Sequence, residues 1–237
     1  MRFIKTLAAT LLIMLANIPL NANAALIFNL GTQFSNGTFP AGSSPWLRAT
    51  FEQNGANNVR LTMENLLSDP DEFVSLWGFN LAPLLNPLNL SASLFSTTTN
   101  TNDITASTGV DGQNLDGGGR YDIWFNFDIS PPGDRFLGGD TVVFDFTMTG
   151  LVEADFDFLA SVQGGSGPFK TAAHIQGIGP NAGLSTYVGT TTSGDGVVNP
   201  QVLVPEPTSL LLLGMGLLGL GGLRSHKANS TSLPKAS

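Results

Sequence analysis

An all-β fold, a single β-sandwich or jelly-roll-like domain, is what this 237-residue chain predicts for its body, on three observations. Apolar and polar residues alternate with a period of two over several short stretches. Turn-forming residues are dense, with Gly at 28 and Pro at 14 among abundant Thr, Asn and Ser. No stretch of the body carries the periodicity of an amphipathic helix, and no internal repeat at a constant spacing points to a solenoid or propeller.

The elements follow in order. Arg2 and Lys5 precede an apolar stretch from Leu7 to Ile18, which Ala22-Asn23-Ala24 closes. A basic start, an apolar segment too short to span a bilayer and a small-x-small ending form a signal peptide over 1–24. Such a segment passes through the Sec translocon and is cut by signal peptidase, which reads Ala22 and Ala24 and leaves Ala25 as the mature start. Strand candidates then come at Leu26–Leu30, Trp46–Phe51, Val59-Leu61-Met63 (after the turn Asn54-Gly55), Phe73–Leu81 and Leu88–Phe95, with a helical turn at Leu84–Pro87. The clearest alternation runs through Tyr121, Ile123, Phe125, Phe127 and Ile129, then Val142, Phe144, Phe146 and Met148, then Val152, Ala154, Phe156 and Phe158. Short Pro/Gly turns separate these three runs, so consecutive antiparallel neighbours are expected. The domain is placed at 25–185, and the Gly/Thr/Ser-rich stretch 186–203 reads as a flexible linker.

Composition bounds function. Five cations (Arg48, Arg60, Arg120, Arg135, Lys170) face seventeen carboxylates between Ala25 and Val204, a net charge of −12. Such a body repels phosphate backbones, so nucleic acid is not an expected partner. The chain has no cysteine, which removes disulfides, thiolate nucleophiles and thiolate metal ligands together.

Candidate chemistry is sparse. His174 is the body's one histidine, and Gly165-Ser166-Gly167 lacks the spacing of a G-x-S-x-G nucleophile elbow, so no catalytic residue is assigned. Zinc needs three or four N or S ligands, which one histidine cannot supply. Asp111, Asp116 and Asp122 surround Gly117-Gly118-Gly119, and Asp134 and Asp140 flank a second loop. Asp111, Asp116, Asp134 and Asp140 could offer oxygen ligands to calcium at one end of a sandwich, although no EF-hand spacing is present and solvated turn aspartates are the preferred reading. Asp155 and Asp157, if two apart on one strand face, stand about 6.5–7 Å apart, a separation usable for glycoside hydrolysis but equally that of an exposed face. Trp46, Trp77 and Trp124 could stack on sugars; Trp124 is singled out for glycan contact because it falls on the outward-facing positions of its run.

The chain ends on an ordered set of features. Val204-Pro205-Glu206-Pro207 is followed by 16 uncharged residues, Thr208 to Leu223, then by Arg224, His226 and Lys227. At about 1.5 Å per residue the apolar run reaches roughly 24 Å, a short transmembrane helix, with Arg224 and Lys227 as the cytoplasmic stop. This arrangement resembles the PEP-CTERM sorting signal of Gram-negative surface proteins, here spanning 204–227 and followed by a polar tail over 228–237. The resemblance implies recognition of Val204, Pro205, Glu206 and Pro207 by an exosortase, a transient inner-membrane anchor, and release to the cell surface or extracellular space. It also implies association with exopolysaccharide and biofilm. The reading that results is a non-enzymatic, structural or cohesive matrix protein; the alternatives are a carbohydrate-binding module, with or without calcium, and an extracellular hydrolase.

Overall fold

The computed structural model of the protein describes residues 25–99 and 104–190. In chain order the first strands are β1 (Ala25–Leu30), β2 (Thr32–Gln33), β3 (Leu47–Gln53), β4 (Asn58–Asn65), β5 (Phe73–Phe79) and β6 (Ser91–Thr97). They are followed by β7 (Thr105–Asn114), β8 (Arg120–Asn126), β9 (Phe136–Leu137), β10 (Thr141–Thr147), β11 (Thr171–Ile178) and β12 (Leu184–Gly189). Helical structure among the described residues is limited to 3-10 turns at Pro87–Asn89, Pro132–Asp134 and Glu153–Phe156. One sheet has the order β1-β3-β4-β10-β6; the other runs β2-β12-β11-β5-β8-β7, with β9 beside β5. Every pairing is antiparallel, as one-sided alternation requires.

The alternation places each apolar set inward. β1 buries Leu26, Phe28 and Leu30, β4 buries Val59, Leu61 and Met63, and β10 buries Val142, Phe144 and Phe146. From the second sheet Val74, Trp77, Phe79, Ile123, Phe125, Ala173 and Ile175 join the same cluster. Aromatic edges bind the two layers: Phe51 of β3 meets Phe79 of β5 at 5.3 Å, and Phe144 of β10 meets Phe125 of β8 at 4.8 Å, both near edge-to-face. The all-β, two-sheet architecture is therefore as the sequence predicts.

Three expectations need correction. β8 and β10 are not neighbours: β8 pairs with β5 and β7 in one sheet, β10 with β4 and β6 in the other. Both have a single apolar face, and placing them on opposite layers lets those faces meet across the core. The run Val152–Phe158 is not a strand but carries the 3-10 turn, in which the Asp155 carboxylate accepts the Val152 amide at 2.9 Å. Of its apolar residues Phe156 alone is deeply buried, stacked on Phe51 at 4.2 Å, while Val152 is 43% and Phe158 38% exposed. The linker placed at 186–203 begins inside β12, where Thr186 and Val188 are buried, so the folded body continues through Thr190.

Signal peptide, transmembrane segment, sorting motif and polar tail all lie outside the described residues. Among the described residues no helix is long and apolar enough to cross a membrane.

Burying Trp77 requires a partner for its indole N–H. Thr171 on the neighbouring strand β11 supplies it: Trp77 Nε1 donates to Thr171 Oγ1 at 2.8 Å, and that hydroxyl donates to the Gly78 carbonyl at 2.7 Å. Both side chains are fully buried. Thr171→Val keeps the shape and removes the relay, leaving the indole N–H unpaired, so a loss of about 1–3 kcal/mol is expected in urea unfolding. An unchanged midpoint would show that the relay contributes nothing net.

Candidate functional site

The outer face of the second sheet gathers a polar and aromatic cluster: Ser75, His174, Gln176 and Tyr187. β11 is irregular on both of its edges there. Against β5 its register shifts between His174 and Ile175, with Ser75 as the extra residue. Against β12 the register shifts between Gln176 and Ile178, with Gly177 as the extra residue. Gly177 has φ +80°, and a Cβ there would overlap the Asp71 carbonyl oxygen, so only glycine fits. Bulges of this kind re-aim side chains, and here they gather Ser75, His174 and Gln176.

Ser75 Oγ lies 2.9 Å from His174 Nδ1 and accepts Gln176 Nε2 at 2.8 Å. Having accepted from Gln176, the hydroxyl donates, and Nδ1 is its nearer acceptor; the His174 carbonyl stands at 3.4 Å. With Nδ1 accepting from Ser75 the imidazole proton resides on Nε2; with Nδ1 protonated, Ser75 accepts it and turns its own proton to the His174 carbonyl. Tyr187 of β12 stacks on the ring at 4.4 Å and 17°. Desolvation pushes the His174 pKa below its ordinary value, partly offset by the field of Asp116, so the ring is neutral at neutral pH.

Beside this cluster is a groove of about 290 Å³. Phe73 lies in its floor, Arg135 and Gln176 line it with His174, and Leu184 and Ser185 of β12 form part of its wall. Arg135 is fixed by its Nε–H to the Ile129 carbonyl at 2.9 Å, and its guanidinium sits 4.2 Å over the Phe73 ring.

The sequence did not single out Ser75. It is separated from His174 by 99 positions, and only strand pairing brings the two together. Ser75 is 8% exposed with its oxygen engaged, and among the described residues no carboxylate hydrogen-bonds the imidazole. Ser166 instead donates to the Phe34 carbonyl in a loop. Asp155 caps its turn, and Asp157 pairs with Lys170 at 2.6 Å, so these two are not the paired strand acids the alternation suggested.

The calcium aspartates are not brought together. Asp122 accepts the Asp111 amide at 2.9 Å and the Leu81 amide at 3.2 Å. Asp140 accepts the Leu137 amide at 2.9 Å, Asp134 sits in a 3-10 turn, and Asp116 holds a turn at φ +39°. Among the described residues no group of three or more His, Asp or Glu could hold a metal ion. Of the four candidates, Asp140 is the one whose carboxylate accepts a local backbone amide. Trp46 and Trp77 are core residues, 6% and 0% exposed. Trp124 is half-buried, its six-membered ring packed against Gly109 and Gly112 of β7, so it is less open than its outward position implied.

Two measurements follow from this geometry. A depressed histidine pKa leaves stability unchanged above pH 6.5; as pH falls from 6.5 to the folded value, the unfolded chain protonates first and stability is lost. The His174 resonance should titrate below 6.5, and the stability gap to His174→Gln should narrow over that window. A titration at or above 6.5 contradicts the assignment. Millimolar Ca²⁺ against chelator should leave the melting temperature unchanged, since a site held at tenfold its Kd would add about 1.4 kcal/mol.

No curated protein matches the chain. One solved structure that does is a biomass-sensing module of an RsgI-like protein of Clostridium thermocellum, described as resembling the family 3 carbohydrate-binding module of the cellulosome. It shares 11% identity over 68% of this chain and 95% of its own, with a TM-score of 0.29, a likeness too low to carry an argument. Residues 203–225 match the family model of the PEP-CTERM protein-sorting motif. On that match the chain carries a PEP-CTERM protein-sorting motif, which implies export, cell-surface sorting and processing by an exosortase.

Proposed function

We propose that the protein is a non-enzymatic component of the cell surface or extracellular matrix, with a structural or cohesive role among exopolysaccharide. The observation that carries this reading is the sorting motif at 203–225, joined to a body whose most suggestive side chains are engaged with one another. The tail anchors the exported body until an exosortase acts near Pro205-Glu206-Pro207, and the acidic, cysteine-free sandwich is then released or transferred outward.

Processing is tested in the producing cell. Mass spectrometry of the native protein should find a start at Ala25 and a C-terminus short of Ser237. Replacing Pro205, Glu206 and Pro207 with alanine should leave the full-length C-terminus in the inner membrane. A native protein intact through Ser237 in that membrane would refute the processing step, and unchanged aggregate cohesion in a deletion strain would refute the matrix role.

A further inference from the structure

We propose that the groove between Arg135 and β12 is a binding subsite for an acidic sugar, with the carboxylate of a uronic acid residue seated on the Arg135 guanidinium. The proposal rests on the matrix reading only for where such a sugar comes from.

Two cations, Arg120 and Arg135, have no carboxylate partner among the described residues, and of the two it is Arg135 that lines the groove. Arg48 pairs with Glu64, Arg60 with Asp145 and Lys170 with Asp157, while Arg120 donates to the Asp111 carbonyl. Arg135 has no carboxylate partner among the described residues, although the body carries three times as many acids as bases. Its Nε–H is spent on Ile129 and its plane is held on Phe73, which fixes the guanidinium while leaving the terminal N–H groups for a ligand. A fixed planar fork is suited to a carboxylate.

The rest of the groove fits a sugar ring rather than a bare carboxylate. Ile129 and Leu184, 54% and 50% exposed, offer apolar surface for ring C–H groups. Gln176, Ser185 and His174 offer hydrogen-bonding groups at the same site. His174 lines the groove as a neutral ring, its pKa lowered by desolvation, so it meets the sugar as a polar partner without adding charge. A volume near 290 Å³ falls just below the usual range for ligand pockets, about 300–1,000 Å³, and so suits a single subsite of one or two rings. The net charge of −12 opposes a polyanion at long range, but at physiological salt that repulsion is screened beyond about 8 Å and does not cancel a contact at the guanidinium.

The test is calorimetric or NMR titration of the processed protein with a galacturonate trimer, a neutral galactose trimer and acetate. The galacturonate trimer is expected to bind saturably and at least tenfold more tightly than either of the others. Arg135→Gln should weaken it at least tenfold, Arg135→Lys by less, and Trp124→Ala not at all, with each variant's melting curve checked first. Equal binding of the neutral trimer, equal competition by acetate, or loss of binding in Trp124→Ala with Arg135→Gln unaffected would each overturn the proposal. Absence of uronate binding would overturn it too, while leaving the sorting and processing results to decide the matrix reading separately.

Discussion

The ring of Phe51 is the point on which the two layers close. It stacks on Phe156 at 4.2 Å and on Phe146 at 6.5 Å, and presents edges to Phe28 at 6.0 Å and Phe79 at 5.3 Å. One side chain on β3 thereby touches both sheets and the turn that plugs the end of the sandwich. With no disulfide available, this aromatic interlock, rather than any covalent staple, has to offset the chain entropy of ordering the body. The same demand explains why Val152–Phe158 abandons its alternation. Phe156 is worth more as a cap on Phe51 than as one rung of another strand.

Legibility in the sequence tracks how each strand is exposed. β4 and β10 have one buried and one wet face, so their period of two is plain, and their boundaries lie close to those expected. β7, Thr105–Asn114, has no fully buried residue, and nothing in a run of Thr, Ser, Gly and Asn marks it as a strand. β11 fails for the opposite reason: Thr171, Ala172 and Ala173 are all buried, since both faces are covered there, and alternation disappears. Alternation also cannot say which layer a strand joins, so it does not separate β8 from β10. The Ser75–His174–Gln176 cluster was invisible because it is made by pairing β5 with β11 and by two bulges, neither of which leaves a local pattern. The sorting motif needed no folding at all to be read, because recognition of such a signal depends on linear order.

The acidic residues illustrate how little charge count says about sites. Asp122, Asp140 and Asp155 each accept backbone amides within turns or strand ends, and Glu72, nearly fully buried, receives the Ala41 amide on both oxygens at 2.9 and 3.2 Å. Burial raises the Glu72 pKa, whereas the paired guanidinium of Arg60 lowers that of Asp145. Acidification therefore relieves one carboxylate as it disarms another, and the body's acid response is a balance of opposed local contributions rather than a simple function of its net charge.

Among the described residues, β6 ends the first sheet with no strand paired on its outer edge, and free edges invite other chains. Its register against β10 slips between Ser96 and Leu94, so Phe95 is the extra residue of a bulge, and the Arg60 guanidinium covers its ring at 3.6 Å. The slip spoils the regular ladder that an incoming strand would need, and the cation turns an otherwise adhesive phenyl into half of a solvated lid. At this edge, molecules crowded together on a surface meet a kinked strand and a capped ring rather than an open ladder.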